Sequence, residues 1–405
     1  MNLQLAICIE LPYILAMIKR NIEQKLFKFI KQYPVLMLTG PRQSGKTTLC
    51  KMTLPDKPYV SLENPENRDY ALSDPRGFLA QYPNGGIIDE AQHAPDLFSY
   101  VQGIVDDKKM NGMFVLTGSQ NFQLLDKISQ SLAGRTAILK LLPFSINEIK
   151  SIIQEMSLDE VLRHGFYPRI HDEKLEPRDA LSFYFETYVE RDVRSLLSIK
   201  DLSSFQKFVR LCAGRVGQIL NLSSLGNEAG VSHTTAKEWM SLLEASYIVF
   251  LLPPYYKNYN KRIIKSPKIY FYDVGLAACL LGIETARQMQ RDPLRGNLFE
   301  NLVVMEFLKK QYEQAGRANL FFFRDSNKNE VDLIMPSGQD LWAIEIKSGQ
   351  TIVSDFFKGL NYFTEINQEE HLKKVLVYGG DQEQRRSFAQ VIPWNQLDIL
   401  FDENK

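Results

Sequence analysis

Between Ile22 and Leu141 the chain alternates helical apolar spacing with short apolar runs. Ile22, Leu26, Phe27, Phe29 and Ile30 recur at the spacing of one helix face. Val35-Leu36-Met37-Leu38, Pro58-Tyr59-Val60-Ser61-Leu62, Gly86-Ile87-Ile88, Met113-Phe114-Val115-Leu116 and Thr136-Ala137-Ile138-Leu139-Lys140-Leu141 are short and apolar-rich, with turn or polar residues beside them. Such runs, separated by helices, predict a parallel sheet covered on both faces. Residues 146–215 carry helical periodicity, and Leu181, Tyr184, Phe185, Tyr188 and Val189 form a core stripe within 179–197. A helix over 222–229 then meets Gly230 as turn residue and Ser232 as N-cap of a second helix. That helix buries Ala236, Trp239, Met240 and Leu243 and leaves Thr234, Thr235, Lys237, Glu238 and Ser241 outward. Residues 248–272 read as two strands around a loop. A helix over 296–310 sets Phe299, Val303 and Phe307 on one side. Strands over 319–324, 330–334 and 342–347 follow. The implied organisation is an extension at 1–16, an α/β unit at 17–150, a helical connector at 151–215, a helix-turn-helix with a strand pair at 216–285, and a second α/β unit at 286–405.

The end of the first apolar run carries the candidate chemistry. Gly40-Pro41-Arg42-Gln43-Ser44-Gly45-Lys46-Thr47-Thr48 has the spacing of a phosphate-binding loop. Gly40 and Gly45 let the backbone N–H groups turn inward, Lys46 brings a cation to the outer phosphates, and the Thr47 hydroxyl ligates Mg²⁺. The helix that starts there adds its positive end. Asp89 and Glu90 close the Gly86–Ile88 run. Asp89 suits the Mg²⁺ shell, and Glu90 suits orientation and deprotonation of water. Ser119, or Thr117, ends the next run and serves either to sense the outermost phosphate or as a turn residue. Arg135 follows Gly134 and reads either as a surface residue or as an arginine finger.

Composition narrows this picture. Lys+Arg and Asp+Glu are both 48 in 405 residues, so overall charge attracts no polyanion and any such site must be local. Local charge is found over 255–272, where Lys257, Lys261, Arg262, Lys265 and Lys268 occur without an acid. Tyr255, Tyr256 and Tyr259 are interleaved there, a pattern that suits either a nucleic-acid-binding wing or a solvated hairpin. Cys8, Cys50, Cys212 and Cys279 show no metal spacing, which points to reduced thiols and a cytoplasmic location. Leu3 to Ile18 is interrupted by Glu10 and Pro12 and is short for a membrane span.

The phosphate loop, Asp89-Glu90, Thr117-Gly118-Ser119 and Leu132-Ala133-Gly134-Arg135 together resemble the AAA+ branch of P-loop ATPases. Within it, the chain is most similar to a bacterial and archaeal group that carries a winged helix and a tail of restriction-endonuclease-like type. The tail bears the residues of a PD-(D/E)xK pattern: Asp332, then Glu345 and Lys347, with Glu300 as the upstream helical acid. Glu345 and Lys347 are two apart and share a strand face. The resemblance implies ATP with Mg²⁺ at the loop, and a second metal site at Glu300, Asp332 and Glu345 with Lys347 beside it. Val331 stands where that pattern has Pro. Three functions are consistent with these residues: an ATPase that moves its other domains, an ATP-controlled DNA nuclease, and a nucleotide-binding scaffold that forms a homo-oligomer.

Overall fold

The computed structural model describes residues 18–119, 131–189, 201–255, 265–367 and 371–401. Residues 1–16, Lys257, Lys261, Arg262, Tyr256 and Tyr259, all named above, lie outside them.

β1 (Val35–Thr39) is buried at every position. Its neighbours are β2 (Tyr59–Ser61), β3 (Gly86–Asp89), β4 (Phe114–Gly118) and β5 (Thr136–Lys140), in the parallel order β2-β3-β4-β1-β5. Alternation along β1 splits the core in two. Val35 and Met37 join Phe98, Val101 and Phe78 on one face. Leu36 and Leu38 join Leu26, Leu49 and Cys50 on the other. All five strands run the same way, so the ends of β1, β3 and β4 open on a common edge, the usual ligand edge of such sheets. The helix Glu23–Ile30 buries Ile22 and Leu26, but Phe27 is 43% exposed, so the apolar stripe is narrower than its composition suggests.

After β5 the segment Leu142–Ile146 leads into helices Lys150–Ile153, Leu158–His164, Pro168–Asp172 and Pro177–Tyr184. Helices Leu222–Ala229 and His233–Ala245 meet at a turn where Gly230 takes φ 79° and the Ser232 side chain accepts from Thr235 N at 3.1 Å. Phe205 and Phe208 pack edge-on against Trp239, with ring centroids 5.3 and 5.5 Å away. The antiparallel pair β6 (Val249–Leu252) and β7 (Lys268–Phe271) follows.

The second sheet comprises β8 (Phe321–Arg324), β9 (Glu330–Ser337), β10 (Asp340–Lys347), β11 (Leu372–Tyr378), β12 (Gln384–Arg385) and β13 (Gln390–Pro393). Its order is β12-β13-β11-β10-β9-β8; β9 pairs antiparallel with both β8 and β10, whereas β10, β11 and β13 run parallel. The helix Arg295–Glu313 packs against both β10 and β5. The pattern predicts one apolar side for it. The structure buries residues all round, including Asn301, Glu306 and Lys309, because it lies between the two sheets. Glu306 accepts from Ile146 N at 2.8 Å, and Lys309 Nζ donates to Phe144 O at 2.7 Å. One hydrophobic cluster runs from Leu142 through these helices to Leu397.

Candidate nucleotide site and a carboxylate cluster

Gly40 is at φ 150°, where a Cβ would stand 2.0 Å from Leu141 O, so the strand end requires glycine for contact as well as conformation. Gly45 takes φ 90° and opens the helix Lys46–Thr53, while Gln43 takes φ 58°. The curl brings Lys46 Nζ to Gly40 O at 3.0 Å and Pro41 O at 2.7 Å. Burial pulls the Lys46 ammonium below its ordinary range, with Glu90 and Asp89 acting against it. Ser44 is buried, and its hydroxyl has no hydrogen-bond partner among the described residues. Thr48 is exposed on the helix. Arg42 pairs with Glu63 at 3.2 Å.

The carboxylates at the end of β3 face this loop. Thr47 Oγ1 donates to Asp89 Oδ2 at 2.9 Å, and the Tyr59 hydroxyl donates to the same oxygen at 2.7 Å. Burial, and then the hydrogen bond to Asp89, hold the Tyr59 hydroxyl well above its usual pKa. Thr117 Oγ1 donates to the other Asp89 oxygen and accepts from Glu90 N at 3.3 Å. Glu90 sits at φ 54°, an uncommon conformation for a non-glycine residue and one that recurs at functional sites. Ser119 Oγ donates to Glu90 Oε2 at 3.2 Å, and Gln92 Nε2 donates to both Glu90 Oε2 and Ser119 Oγ. The expected residues of the loop, β3 and β4 are thus brought together.

Several partners of this site were not foreseen from the sequence. Arg20 Nη1 donates to Ser44 O at 2.8 Å, Nη2 donates to Leu142 O at 2.8 Å, and Nε pairs with Glu148 at 3.0 Å, so this buried arginine braces the outside of the loop. The Tyr247 hydroxyl donates to Thr39 Oγ1 at 3.1 Å, tying the turn after the helix His233–Ala245 to the residue before Gly40. Only a lone arginine and lone tyrosines mark these positions in the sequence. Arg135 is placed elsewhere. It precedes Thr136, which pairs with Val35 at the start of β1, the end opposite the loop, and its guanidinium pairs with exposed Asp106 at 2.5 Å. In its own subunit Arg135 therefore does not meet the phosphate loop.

The second candidate site departs from expectation in two ways. Glu300, Glu330 and Asp332 present oxygens within 4.8 Å of one another, so Glu330 rather than Glu345 completes the trio. Glu345 is linked to Asp332 through Lys347, whose Nζ lies 2.5 Å from Glu345 Oε1 and 3.2 Å from Asp332 Oδ2. Burial, and then the Asp332 charge, push the Glu345 carboxyl up to about 8. Burial acts to raise Asp332 as well, but Lys347 and Lys268 outweigh it and hold that carboxyl low. Lys268, expected as a surface cation for nucleic acid, is 1% exposed, and its Nζ lies 2.8 Å from Glu300 Oε1. It also pairs with Glu330 and stands 4.0 Å from Asp332 Oδ1. Lys265 is exposed. An ammonium among the three carboxylates does not fit a divalent ion bound there as well.

A parallel sheet with a glycine loop at the end of β1, facing adjacent carboxylates at the end of β3, defines an AAA-type, ATPase-like domain. Residues 32–150 match the family described as AAA domain. Residues 155–287 and 295–397 match two domains of unknown function, DUF8612 and DUF4143. The protein is 30% identical over 336 residues to the uncharacterised protein Rv2008c of Mycobacterium tuberculosis, covering 82% of this chain and 74% of that one. Mb2031c of Mycobacterium bovis gives the same figures. The chain belongs to the family of these mycobacterial proteins. An uncharacterised Haemophilus influenzae protein is 24% identical over 366 residues, 82% of this chain and 87% of that one. Among solved structures, the Walker-type ATPase PABY2304 of Pyrococcus abyssi aligns at TM-score 0.43 and 15% identity, covering 64% of this chain and 95% of that one. AMPPCP-bound DnaA from Aquifex aeolicus aligns at 0.30 and 14%, covering 55% and 85%. No helix among the described residues is long and apolar enough to cross a membrane.

Proposed function

We propose that the chain binds ATP with Mg²⁺ in the loop Gly40–Thr47 and hydrolyses the β–γ bond, using the strain and contacts of that site to move the helices and strands packed behind it. The observation that carries this reading is the meeting of Thr47, Asp89 and Glu90, with 2.9 Å between the Thr47 hydroxyl and Asp89. The donor set suits a nucleotide: loop N–H groups at a helix start, the Lys46 ammonium, and a buried Ser44 hydroxyl without a partner among the described residues. Thr47 and Asp89 would hold Mg²⁺, which when bound offsets charge on the phosphate oxygens. Tyr59 and Thr117 fix the Asp89 carboxylate from either side. Glu90 accepts the proton of the attacking water, and Ser119 and Gln92 hold its carboxylate. Thr39–Tyr247 and Ser44–Arg20–Glu148 are the contacts through which loop movement reaches the middle of the chain. For the helix-turn-helix and the strand pair after it, with Lys237 and Lys265 exposed, nucleic acid is the partner we propose.

Glu90→Gln tests the reading. It should keep ATP affinity and lower turnover by about 10²–10⁴-fold, the usual weight of a positioned general base. Undiminished phosphate release would refute the role of Glu90. Turnover of the unaltered protein measured with single-stranded DNA, duplex DNA and RNA then tests the proposed partner. Equal rates with all three and with none would remove it.

A further inference from the structure

We propose that Lys268 is the resident cation of the Glu300–Glu330–Asp332 cluster, standing in the place of a divalent metal ion and fastening the β6–β7 strand pair to the second sheet. An ammonium has three donors, and here it faces three carboxylates from two separate elements, the helix Arg295–Glu313 and β9. Its Nζ is 2.8 Å from Glu300, paired with Glu330 and 4.0 Å from Asp332.

The carboxylates also have other donors. The Tyr270 hydroxyl donates to Glu300 Oε1 at 2.5 Å. Arg324 takes the second Glu330 oxygen at 3.1 Å. Ile346 N and Lys347 Nζ take Asp332 Oδ2 at 2.8 and 3.2 Å. A divalent ion would have to displace these donors and sit against a buried like charge. Glu345 Oε2 has no partner among the described residues, but its carboxylate is turned to Lys347 through Oε1, and a single oxygen does not make a metal site.

The backbone of Lys268 is held on both sides, by Leu252 of β6 and by a bridge to Ile219. Gly217 N and Leu220 N donate to Ile269 O and Pro267 O, both at 2.8 Å, on either side of it. The cation is therefore supplied by a strand outside the second sheet and is positioned by that strand's own pairing. The cluster is an intramolecular ion-pair joint between two units of the chain, independent of any nucleotide chemistry.

The test is Mn²⁺ titration of the nucleotide-free full chain, followed by electron paramagnetic resonance of the free ion, on wild type, Asp332→Asn, Lys268→Met and the double variant. Wild type and Asp332→Asn should bind equal Mn²⁺. Lys268→Met should gain one equivalent that Asp332→Asn removes, and Mn²⁺ should raise its melting midpoint while leaving that of wild type unmoved. A wild-type equivalent lost in Asp332→Asn would overturn the proposal, as would a folded Lys268→Met that gains none. If Lys268→Met does not fold, wild type against Asp332→Asn, repeated with Glu300→Gln, decides alone. Equal binding supports the ammonium, and loss of an equivalent defeats it.

Discussion

Removing the Arg20 side chain should loosen the phosphate loop from behind. The guanidinium makes three buried contacts: to Ser44 O and Leu142 O, both at 2.8 Å, and to Glu148 at 3.0 Å. The Arg20 side chain is 8% exposed and that of Glu148 is 2% exposed, so water cannot readily replace either partner. Hydrogen bonds to a charged donor are worth about 1.5–3 kcal/mol each, and breaking a buried ion pair costs about 3–5 kcal/mol. The three contacts share one side chain and are not additive. Glu148 also keeps Ser145 N at 2.9 Å and Asn21 N at 2.8 Å. Arg20→Ala should therefore destabilise the nucleotide domain by about 3–5 kcal/mol, and Arg20→Lys, which keeps charge but not the fork, by roughly half of that. Urea unfolding read by far-ultraviolet circular dichroism gives the stability. Titration with a fluorescent ATP analogue under native conditions gives affinity, which should fall several-fold because Ser44 lies within the loop. A stability loss below about 1 kcal/mol for Arg20→Ala would refute the bracing role.

Gly40→Ala should abolish nucleotide binding, since its Cβ would stand 2.0 Å from Leu141 O and must push the loop off the sheet; calorimetric titration with ATP checks this. Burial, and then the charge of Glu148, raise the Glu313 carboxyl to about 7 against an ordinary 4.5. Its folded form binds the proton more tightly than its unfolded form, so its contribution to stability is present below pH ~4.5 and lost as pH rises towards 7. Melting midpoints across that range should decline in wild type more steeply than in Glu313→Gln.

The candidate site was largely legible because its residues are local: Gly40 to Thr47 lie on one loop, and Asp89-Glu90 end one strand. Strand runs were legible because a doubly covered parallel strand is apolar throughout. Legibility failed where a residue's role depends on distant partners. Lys268 lies in a stretch without acids, so it resembled a surface cation; its acids come from positions 300, 330 and 332. Arg20, Tyr59 and Tyr247 carry no local pattern, and their partners are 24, 30 and 208 positions away. Spacing places Phe27 on the buried stripe, yet the helix face that meets the sheet is too narrow to include it. Arg135 allows two readings by its glycine neighbour, surface residue or arginine finger; which end of β5 it precedes puts it away from the loop, paired with exposed Asp106.

The rod formed by Arg295–Glu313, 19 residues and so about 28 Å long, is embedded on nearly all sides. A gene fragment ending before it would bare the flank of β5 and the seats of Phe144 and Ile146; one beginning at it would bare the rod itself. Truncated halves of this polypeptide should therefore be sticky and prone to precipitate, and shuffling its tail onto another host would require rebuilding the host's surface to receive the rod.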